Sequence, residues 1–164
     1  MKIVLINNPV LRKPTSLVSR EELDDIVLLV PEMVEAMNEA KGVGLAANQV
    51  GISKRFFIMK VDEEVKLFIN PEIINMGEMN PFEEGCLSIP GVSAATMRAL
   101  EVKLKYLDEF FDEHVEEFKD LKAAAIQHEV DHLDGKLYVD QLLPVRKKIV
   151  LDKHRKFLKT RGKK

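Results

Sequence analysis

His128-Glu129-Val130-Asp131-His132 is a five-residue stretch whose spacing predicts both a helix and a metal site. Histidines four positions apart lie on one face of an α-helix, so both imidazoles can reach the same divalent cation. Glu129 lies about 100° further around that helix, where its carboxylate can meet a water on the cation without displacing an imidazole. The stretch therefore predicts metal-assisted hydrolysis of a carbonyl compound.

The residues on either side of this stretch predict where its helix begins and ends. Asp120 is a favoured N-cap residue type and precedes an alanine-rich run, whereas Gly135 is a residue type that terminates helices. At the end of the chain, Pro144 starts a second amphipathic helix, with Lys147, Leu151, His154 and Leu158 along one face.

The first two thirds of the chain predict mainly strands. Residues 55–61 and 65–69 are rich in β-forming side chains, and Asn70-Pro71 closes the second run. Residues 102–107 alternate between apolar and polar side chains, but residues 109–118 give no clear pattern. We therefore predict an α+β fold, in which antiparallel sheets wrap around a central metal-binding helix and a C-terminal amphipathic helix follows.

One further helix is predicted before the strands. A capping box opens at Ser19, and an apolar helical stripe continues to about Ala40. Pro31 inside this segment predicts a kink or a restarted helix, and Gly42 and Gly44 end it. The chain has neither repeats nor a linker, so residues 1–164 are expected to form one catalytic domain.

The composition is that of an ordinary globular protein. Of the 164 residues, 46% are hydrophobic and 32% are charged, and the formal net charge is −2. No apolar run approaches the ~20 residues that a membrane span needs, and the first residues are not expected to act as a secretory leader or a transit peptide. These features predict a cytoplasmic protein that does not associate with membranes.

The C-terminal helix and tail, residues 144–164, are strongly basic. They contain ten lysines and arginines and a single acidic residue, Asp152. Such a segment can contact the ribosome or another nucleic acid, or it can simply be a solvated helix face with cations near its C-terminus. A ribosome contact is therefore one expectation, and specific DNA binding is not expected.

The third metal ligand separates the enzyme classes that share the His-Glu-x-x-His pattern. Zinc peptidases take it from a histidine six residues further on, which is Tyr138 here, or from a downstream glutamate, which residues 133–164 lack. The remaining good donor is Cys86, the only cysteine, although a lone cysteine can also be a small buried hydrophobe. Two imidazoles and a thiolate leave a fourth position open, and such a set tolerates Fe(II), Zn(II), Ni(II) or Co(II).

Three separated motifs give the chain a family resemblance. They are Gly-Val-Gly-Leu-Ala-Ala-Asn-Gln at 42–49, Glu-Gly-Cys-Leu-Ser at 84–88 and Gln-His-Glu-Val-Asp-His at 127–132. In this order they resemble the motifs of the peptide deformylases, metallohydrolases that remove the formyl group from N-formylmethionine on new polypeptides. The resemblance covers essentially the whole chain, and the basic helical C-terminus is similar to the bacterial-type branch.

The resemblance implies a role for each motif residue. Cys86, His128 and His132 would hold the ion, which in the family is naturally Fe(II) and is often replaced by Zn(II) or Ni(II). A metal-activated hydroxide would attack the formyl carbon, and Glu129 would carry its proton to the departing amine. By the same similarity, the Gln49 side chain and the Leu87 N–H would stabilise the oxyanion.

The resemblance also implies how the substrate, an N-formylmethionyl nascent peptide, is bound. Its backbone would lie as an added strand along Gly42, Val43 and Gly44, although a plain helix-ending turn also explains Gly42. Two further expectations concern support of the site. Glu84 and Arg98 would form an ion pair behind the cysteine loop, or a surface pair without consequence, and Asp131 would orient an imidazole or be solvated.

Two positions depart from the usual family pattern. Asn48 stands where proline is most common, which predicts a looser loop before Gln49. Thr96 replaces a more usual valine, which predicts a reshaped pocket wall. Two other interpretations of the whole motif set remain, a zinc endopeptidase and a non-catalytic metal-binding module.

Overall fold

The strands follow the β-branched and aromatic runs of the sequence. The structure, a computed structural model, describes residues 1–161. Its strands are β1 (Gly44–Ala46), β2 (Phe56–Val61), β3 (Glu64–Met76), β4 (Met79–Cys86), β5 (Ile89–Ala99), β6 (Glu101–Leu107) and β7 (Glu113–Lys119). The α-helices are α1 (Leu23–Glu39), α2 (Asp120–Leu133) and α3 (Pro144–Arg161). Short 3₁₀ turns lie at Pro9–Arg12, Arg20–Glu22, Ala47–Val50 and Tyr138–Gln141.

Two antiparallel sheets make up the β structure. The larger has the strand order β1-β2-β3-β6-β7, and the smaller is the β4–β5 hairpin. In β6 the predicted alternation is realised, because Val102, Leu104 and Tyr106 are buried and the residues between them are not. The α+β prediction is therefore confirmed.

Helix α2 lies between the two sheets, and the alternation of side chains in β2 explains why. Phe57 and Met59 point to one face of the large sheet and pack with Ile126 and Val130 of α2. The intervening side chains of β2 pack on the opposite face against Met33 and its neighbours in α1. On its other side, α2 contacts β5. The helix is consequently enclosed, as predicted for a central element.

Helix α3 packs on β5 of the hairpin. Val150 and His154 of this helix are buried, and the predicted face at Lys147, Leu151 and Leu158 is half-buried. The tail of the predicted basic segment, residues 162–164, lies outside the described residues. Through residue 161, no helix combines the length and the hydrophobicity needed to span a lipid bilayer.

Three local predictions are wrong or incomplete. Asp120 is the first residue of α2, with φ 52°, and Lys119 is the N-cap. Pro31 lies inside α1 but does not restart it, since the helix is continuous from Leu23 to Glu39. Asn70-Pro71 does not close β3, because the register shift between Ile69 and Glu72 accommodates it as a bulge. Asn70 adopts φ 50° at this bulge, a conformation that asparagine tolerates. Proline is accepted next to it because a residue at a bulge does not need to donate an N–H to the neighbouring strand.

Candidate metal centre

The two histidines of α2 face away from solvent. His132 is 1% exposed, and His128 lies one turn earlier on the same face, with 4.8 Å between the ring centroids. Small side chains at Ala123 and Ala124 let neighbouring elements approach the helix closely, and both residues are buried. The helical spacing therefore brings both imidazoles into one enclosed place, as expected from the sequence.

Cys86 reaches the histidines from the end of β4. A register shift between Gly85 and Cys86 ends the regular pairing of the hairpin and turns the cysteine toward α2. Its Sγ atom lies 3.1 Å from Nε2 of His132. Three potential ligand atoms lie within 4.8 Å of one another, one each from Cys86, His128 and His132. Within residues 1–161, no other group of three such residues is found.

This donor set fits a divalent transition-metal ion. Ligand atoms around a tetrahedral ion with bonds of about 2.0–2.3 Å are themselves separated by about 3.5 Å, which is the scale of the observed cluster. Burial lowers the pKa of His132 well below its ordinary value, and the neighbouring His128 lowers it further. The neutral imidazole is the form that binds a metal ion, so the environment of His132 suits a ligand.

Glu84 of β4 fixes the orientation of the His128 ring. Its Oε2 atom lies 2.6 Å from Nδ1 of His128. Burial alone would raise the pKa of Glu84, but hydrogen bonds from His128 and Arg98 outweigh burial and lower the pKa to about 2. A carboxylate at neutral pH only accepts hydrogen bonds, so Nδ1 of His128 donates. The other ring nitrogen, Nε2, is left to face the cluster.

Arg98 of β5 connects Glu84 back to the metal helix. Its Nε and Nη2 atoms donate to the two oxygens of Glu84 at 3.0 and 3.1 Å, and Nη1 donates to Asp131 at 2.6 Å. Arg98 is only 4% exposed, so the pair is not a surface pair without consequence. Because His128 and Asp131 are both in α2, the contacts form a closed ring that holds the hairpin, and hence Cys86, against the helix.

Glu129 lies beside the cluster with one oxygen unpartnered. It is 4% exposed, and its Oε2 atom has no hydrogen-bond partner among the described residues. Burial raises the pKa of Glu129 to about 7, against the opposing effect of His128. A carboxyl group with a pKa near neutrality can both accept and release a proton.

Gly44 provides the space that Glu129 occupies. A Cβ atom at Gly44 would lie 2.5 Å from Oε1 of Glu129. Gly42 has a similar constraint, since its Cβ would lie 2.7 Å from Cδ1 of Leu87. The left-handed residue that ends α1 is Lys41, with φ 57°, so Gly42 is not needed for that turn.

The segment 42–44 borders the cleft at the edge of the large sheet. β1 is the outermost strand of this sheet and pairs with β2 on one side. Val43 is half exposed, and its carbonyl accepts from the N–H of Lys60 in β2. An edge strand of this kind can pair with an additional extended peptide.

Gln49 is held with its amide group pointing toward Cys86. Its Oε1 accepts from the N–H of Ala46 at 2.9 Å, and its Nε2 lies 3.5 Å from Cys86 Sγ and 3.3 Å from Ser88 Oγ. Leu87 follows Cys86 directly and is half-buried in the same cleft. All nine predicted site residues are thus brought to one region.

A cleft of about 780 Å³ opens over this region. His128, Glu129 and Cys86 lie in its lining, together with Gln49, Leu87 and residues 42–44. Apolar side chains of α2, among them Leu121, form part of its wall. A cleft with a few polar groups among apolar walls is typical of a small-ligand or peptide site.

Three further residues near the site have contacts that the sequence analysis did not predict. Asp131 accepts from Arg98 and does not orient an imidazole, because Nδ1 of His128 contacts Glu84 and Nδ1 of His132 has no partner among the described residues. Thr96 donates to Glu84 and is absent from the cleft lining, so the predicted reshaping of the pocket wall is wrong. Ser88, for which we had predicted no role, is fully buried beside Gln49.

Asn48 was expected to loosen the turn before Gln49, but the structure shows the reverse. Its side-chain Nδ2 donates to the carbonyl of His132, and the residue is fully buried. A proline could not make this contact, because it has no side-chain donor. The amide therefore ties the Gln49 turn to the C-terminal end of α2.

The other two histidines lie outside the cluster. His114 pairs with Asp108 on the surface of β7, with 2.7 Å between Nε2 and Oδ2. His154 is buried in α3, and its Nδ1 lies 2.9 Å from the carbonyl of Pro90.

Comparisons with known proteins agree with this geometry. The sequence profile of the polypeptide deformylase family matches residues 1–148. Among curated proteins, a peptide deformylase from Cytophaga hutchinsonii is 42% identical over 160 residues, which is 92% of this chain and 86% of that protein. A peptide deformylase from Stenotrophomonas maltophilia is 40% identical over 158 residues, or 93% of each chain.

Solved structures give the same result. A peptide deformylase from Legionella pneumophila superposes with a TM-score of 0.92 at 36% identity, covering 99% of this chain and 98% of that one. A peptide deformylase from Synechococcus elongatus, in complex with actinonin, superposes with a TM-score of 0.88 at 36% identity, covering 94% and 85%.

Proposed function

The chain belongs to the polypeptide deformylase family, a family of metal-dependent hydrolases. We therefore propose that it removes the formyl group of N-formylmethionine on nascent polypeptides, with the residue roles given below. The observation that carries the proposal is the placement of Glu129. Glu129 is buried next to the cluster of Cys86, His128 and His132, and it lines the cleft. Its Oε2 atom has no hydrogen-bond partner among the described residues.

Glu129 is the proton carrier in this proposal. Its raised pKa of about 7 allows the carboxylate to accept a proton from the attacking water and to release it to the departing amine. Gly44 leaves room for the carboxyl group of Glu129, since a side chain at residue 44 would occupy the same space.

Gln49 and Leu87 are proposed to stabilise charge on the formyl oxygen. The Gln49 amide is anchored by Ala46, which directs its NH₂ group toward the cluster. The backbone N–H of Leu87 is the second proposed donor. Donors that are held in place before the reaction lower its barrier, because they need no reorganisation when the charge develops.

The substrate backbone is proposed to pair with Gly42, Val43 and Gly44, the segment that leads into the edge strand β1. In an extended peptide bound this way, main-chain hydrogen bonds provide affinity and alternate side chains provide specificity. The methionine side chain would then enter the apolar part of the cleft near Leu121 of α2.

Cys86, His128 and His132 are proposed to hold the ion, with Fe(II) as the native metal and Zn(II), Ni(II) or Co(II) as substitutes. When bound, a divalent ion at this set supplies Lewis-acid activation of water and of the carbonyl group. The ring of contacts through Glu84 and Arg98 fixes the position of Cys86 relative to the two histidines.

Replacing the thiolate tests the proposed ligand set directly. We expect Cys86→Ser to weaken metal retention, or to change the preferred ion, because a hard hydroxyl replaces a soft thiolate. Elemental analysis of anaerobically purified protein measures both. Wild-type stoichiometry of the same ion after dialysis against a chelator would contradict a ligand role for Cys86.

Two other functions receive less support. A zinc endopeptidase would take its third ligand from a downstream histidine or glutamate, but here the third donor in the cluster is Cys86. A structural metal site usually has four protein ligands, whereas the cluster within residues 1–161 has three. A proton carrier beside an open coordination position also favours catalysis.

Hydrolysis of formyl-Met-Ala-Ser by anaerobically purified protein tests the proposed function. We expect release of formate and a product that has lost only the mass of the formyl carbonyl, with both peptide bonds intact. Cleavage between residues would instead indicate an endopeptidase. Metal-loaded protein that leaves the peptide unchanged would rule out the proposed activity.

The remaining proposals concern partners and location. We propose that the protein works in the cytoplasm on nascent chains. A ribosome contact through α3 is proposed because its surface carries mainly basic side chains, such as Arg146, Lys148 and Lys153.

A further inference from the structure

We propose that the hydroxyl of Ser88 is a positioning group for the oxyanion donors. It accepts one hydrogen of the Gln49 amide, and the second hydrogen is thereby directed at the formyl oxygen of the substrate. This inference rests on the proposed function and deepens it, because it explains how the Gln49 donor is oriented. Ser88 follows Leu87 directly and is fully buried.

The Gln49 side chain is held at both of its polar atoms. Its Oε1 accepts from the N–H of Ala46 at 2.9 Å, so the nitrogen of the planar amide points the other way. Nε2 lies 3.3 Å from Ser88 Oγ and 3.5 Å from Cys86 Sγ. A flipped amide would set its NH₂ group against the N–H of Ala46, and two donors repel each other. The contacts therefore determine which end of the amide faces the cluster.

The two hydrogens on Nε2 explain what the Ser88 contact does. A glutamine nitrogen donates twice, in two different directions. Ser88 Oγ accepts one hydrogen, and the other faces Cys86 Sγ, next to the place proposed for the formyl oxygen. The terminal torsion of glutamine has only a broad intrinsic preference, so contacts have to fix the plane of the amide. Ser88 supplies that contact on the nitrogen side.

The N-terminal segment joins the backbones of the same two residues. The N–H of Val4 donates to the carbonyl of Gln49 at 2.8 Å, and the N–H of Ile6 donates to the carbonyl of Ser88 at 3.0 Å. Groups two residues apart point to the same side of an extended segment, so one segment can hold both carbonyls. This bridge sets the distance between the Gln49 turn and the loop that contains Leu87. The two proposed oxyanion donors are consequently held as one unit.

Burial makes the Ser88 contact matter. Gln49 is 1% exposed and Ser88 is fully buried, so an amide hydrogen that turns away from the cleft needs a protein acceptor. Ser88 does not belong to the lining of the cleft, whereas Gln49 does. Ser88 therefore acts on the reaction through Gln49 and is a positioning residue.

Steady-state kinetics provide the first test. For Ser88→Ala we expect kcat on formyl-Met-Ala-Ser to fall about 10- to 100-fold with little change in KM, because the misdirected donor is needed when charge develops. Thr15→Val is the matched control. It also removes a hydroxyl that contacts the protein, at 3.0 Å from the carbonyl of Leu133, but Thr15 does not line the cleft. This control should keep the wild-type kcat.

A double-mutant cycle separates positioning from a general structural role. Gln49→Met removes the amide and keeps a side chain of similar length. If Ser88 acts through the Gln49 amide, Ser88→Ala should change kcat by less than about 2-fold in the Gln49→Met background. A general structural role of Ser88 would instead give the same fall in kcat in both backgrounds.

Hydrogen exchange provides a readout that needs no turnover. In ¹⁵N-labelled, Zn(II)-loaded protein, the side-chain amide signals of Gln49 are identified by their loss in Gln49→Met. We expect slow exchange of this amide in the wild type and exchange at least about 10-fold faster in Ser88→Ala, since the hydrogen loses its buried acceptor. Thr15→Val should exchange like the wild type.

The outcomes separate this inference from the proposed function. If the wild type deformylates no peptide but exchange of the Gln49 amide depends on Ser88, the function fails and the positioning role stands. Three results refute the positioning role whatever the activity of the protein on other peptides. They are fast exchange of the Gln49 amide in the wild type, unchanged exchange in Ser88→Ala, and an effect of Ser88→Ala on kcat that is absent or equal in both backgrounds.

Discussion

At the scale of single residues, burial changes what an ordinary side chain can do. A solvated glutamate has a pKa of about 4.3 and is a weak proton carrier near neutrality. Glu129 has a pKa raised to about 7, chiefly because it is buried. The chemistry of this residue therefore depends on the elements around it as much as on its place in the motif.

Glu129→Gln tests that role. The amide keeps the shape of the side chain but cannot carry the proton, so we expect kcat to fall by several orders of magnitude. Metal content should stay stoichiometric, because Glu129 is not in the ligand cluster. Steady-state deformylation and elemental analysis of the same sample measure both quantities. Turnover close to wild type would remove Glu129 from the mechanism.

Asn48 is a residue whose contribution to stability is predictable from its contacts. Its Nδ2 is the donor to the His132 carbonyl, and it is fully buried. We expect Asn48→Ala to lower the free energy of unfolding by about 0.5–1.5 kcal/mol, because one buried hydrogen bond is lost while the N–H of Gly135 still donates to the His132 carbonyl. Urea denaturation provides the measurement. Asn38→Ala, at an exposed position of α1, is the control and should change little.

At the scale of elements, the centre consists of a helix and a hairpin held together by one ring of polar contacts. His128 and Asp131 of α2 contact Glu84 and Arg98 of the β4–β5 hairpin, so the two elements cannot shift independently. Because Cys86 ends β4, this ring also determines where the thiolate lies. Buried groups joined in this way are costly to break one at a time.

Arg98→Met should therefore affect both stability and metal affinity. We expect a loss of about 3–5 kcal/mol in unfolding free energy, since the variant leaves Glu84 and Asp131 without their cation. Metal affinity should fall about 10- to 100-fold, because Arg98 no longer holds Glu84, the acceptor that orients the His128 ring. Chelator competition measures the affinity.

Arg55→Met is the matched control for that variant. Arg55 also pairs with a carboxylate of the same helix region, Asp134, at 2.8 Å, but it contacts no residue of the ligand cluster. Its loss should lower stability and leave metal affinity unchanged. Equal effects of the two variants on metal affinity would contradict a specific role for the ring.

The elements differ in how far their sequence predicts them. The α2 helix, with its period of 3.6 residues, and β6, with strict alternation, were predicted because their patterns are local. The β4–β5 hairpin was not predicted, since its residues are mixed in character and gain their stability from pairing with each other. Asn70-Pro71 was wrongly predicted to end β3 for a similar reason. The strand continues through these residues because the β3–β6 pairing has a bulge at this point.

At the scale of the whole molecule, Asp140 connects the N-terminal segment to the start of helix α3. Its carboxylate lies 2.5 Å from Arg12 near the N-terminus and 2.7 Å from Lys147 in α3. It also accepts from the N–H of Leu137 at 2.9 Å. Burial alone would raise the pKa of Asp140, but the hydrogen bonds from Lys147 and Arg12 lower it below its ordinary value.

This shift predicts a pH dependence of stability. A lowered folded-state pKa means that the stabilisation by Asp140 is fully present above the unfolded-state pKa, about 3.9, and is lost as the pH falls through the lower folded-state value. The difference in unfolding free energy between wild type and Asp140→Asn should thus be constant above about pH 5 and shrink below about pH 4. Urea denaturation at a series of pH values, from well above the upper limit to well below the lower one, measures this difference.

Asp62→Asn is the control for the pH experiment. Asp62 pairs with Lys122 at 2.6 Å, but its side chain is 77% exposed, so its removal should have little effect at any pH. A difference for Asp140→Asn that stays constant down to acid pH would contradict the proposed contribution of its charge.

The sequence by itself determined the fold class, the family and the residues of the proposed centre, because residue chemistry and local spacing carry that information. Only the tertiary structure decided how those residues are supported. Glu84 meets His128 across 44 positions, and Asn48 meets His132 across 84. Such contacts depend on how strands and helices pack, and packing is a property of the whole chain that no local pattern encodes.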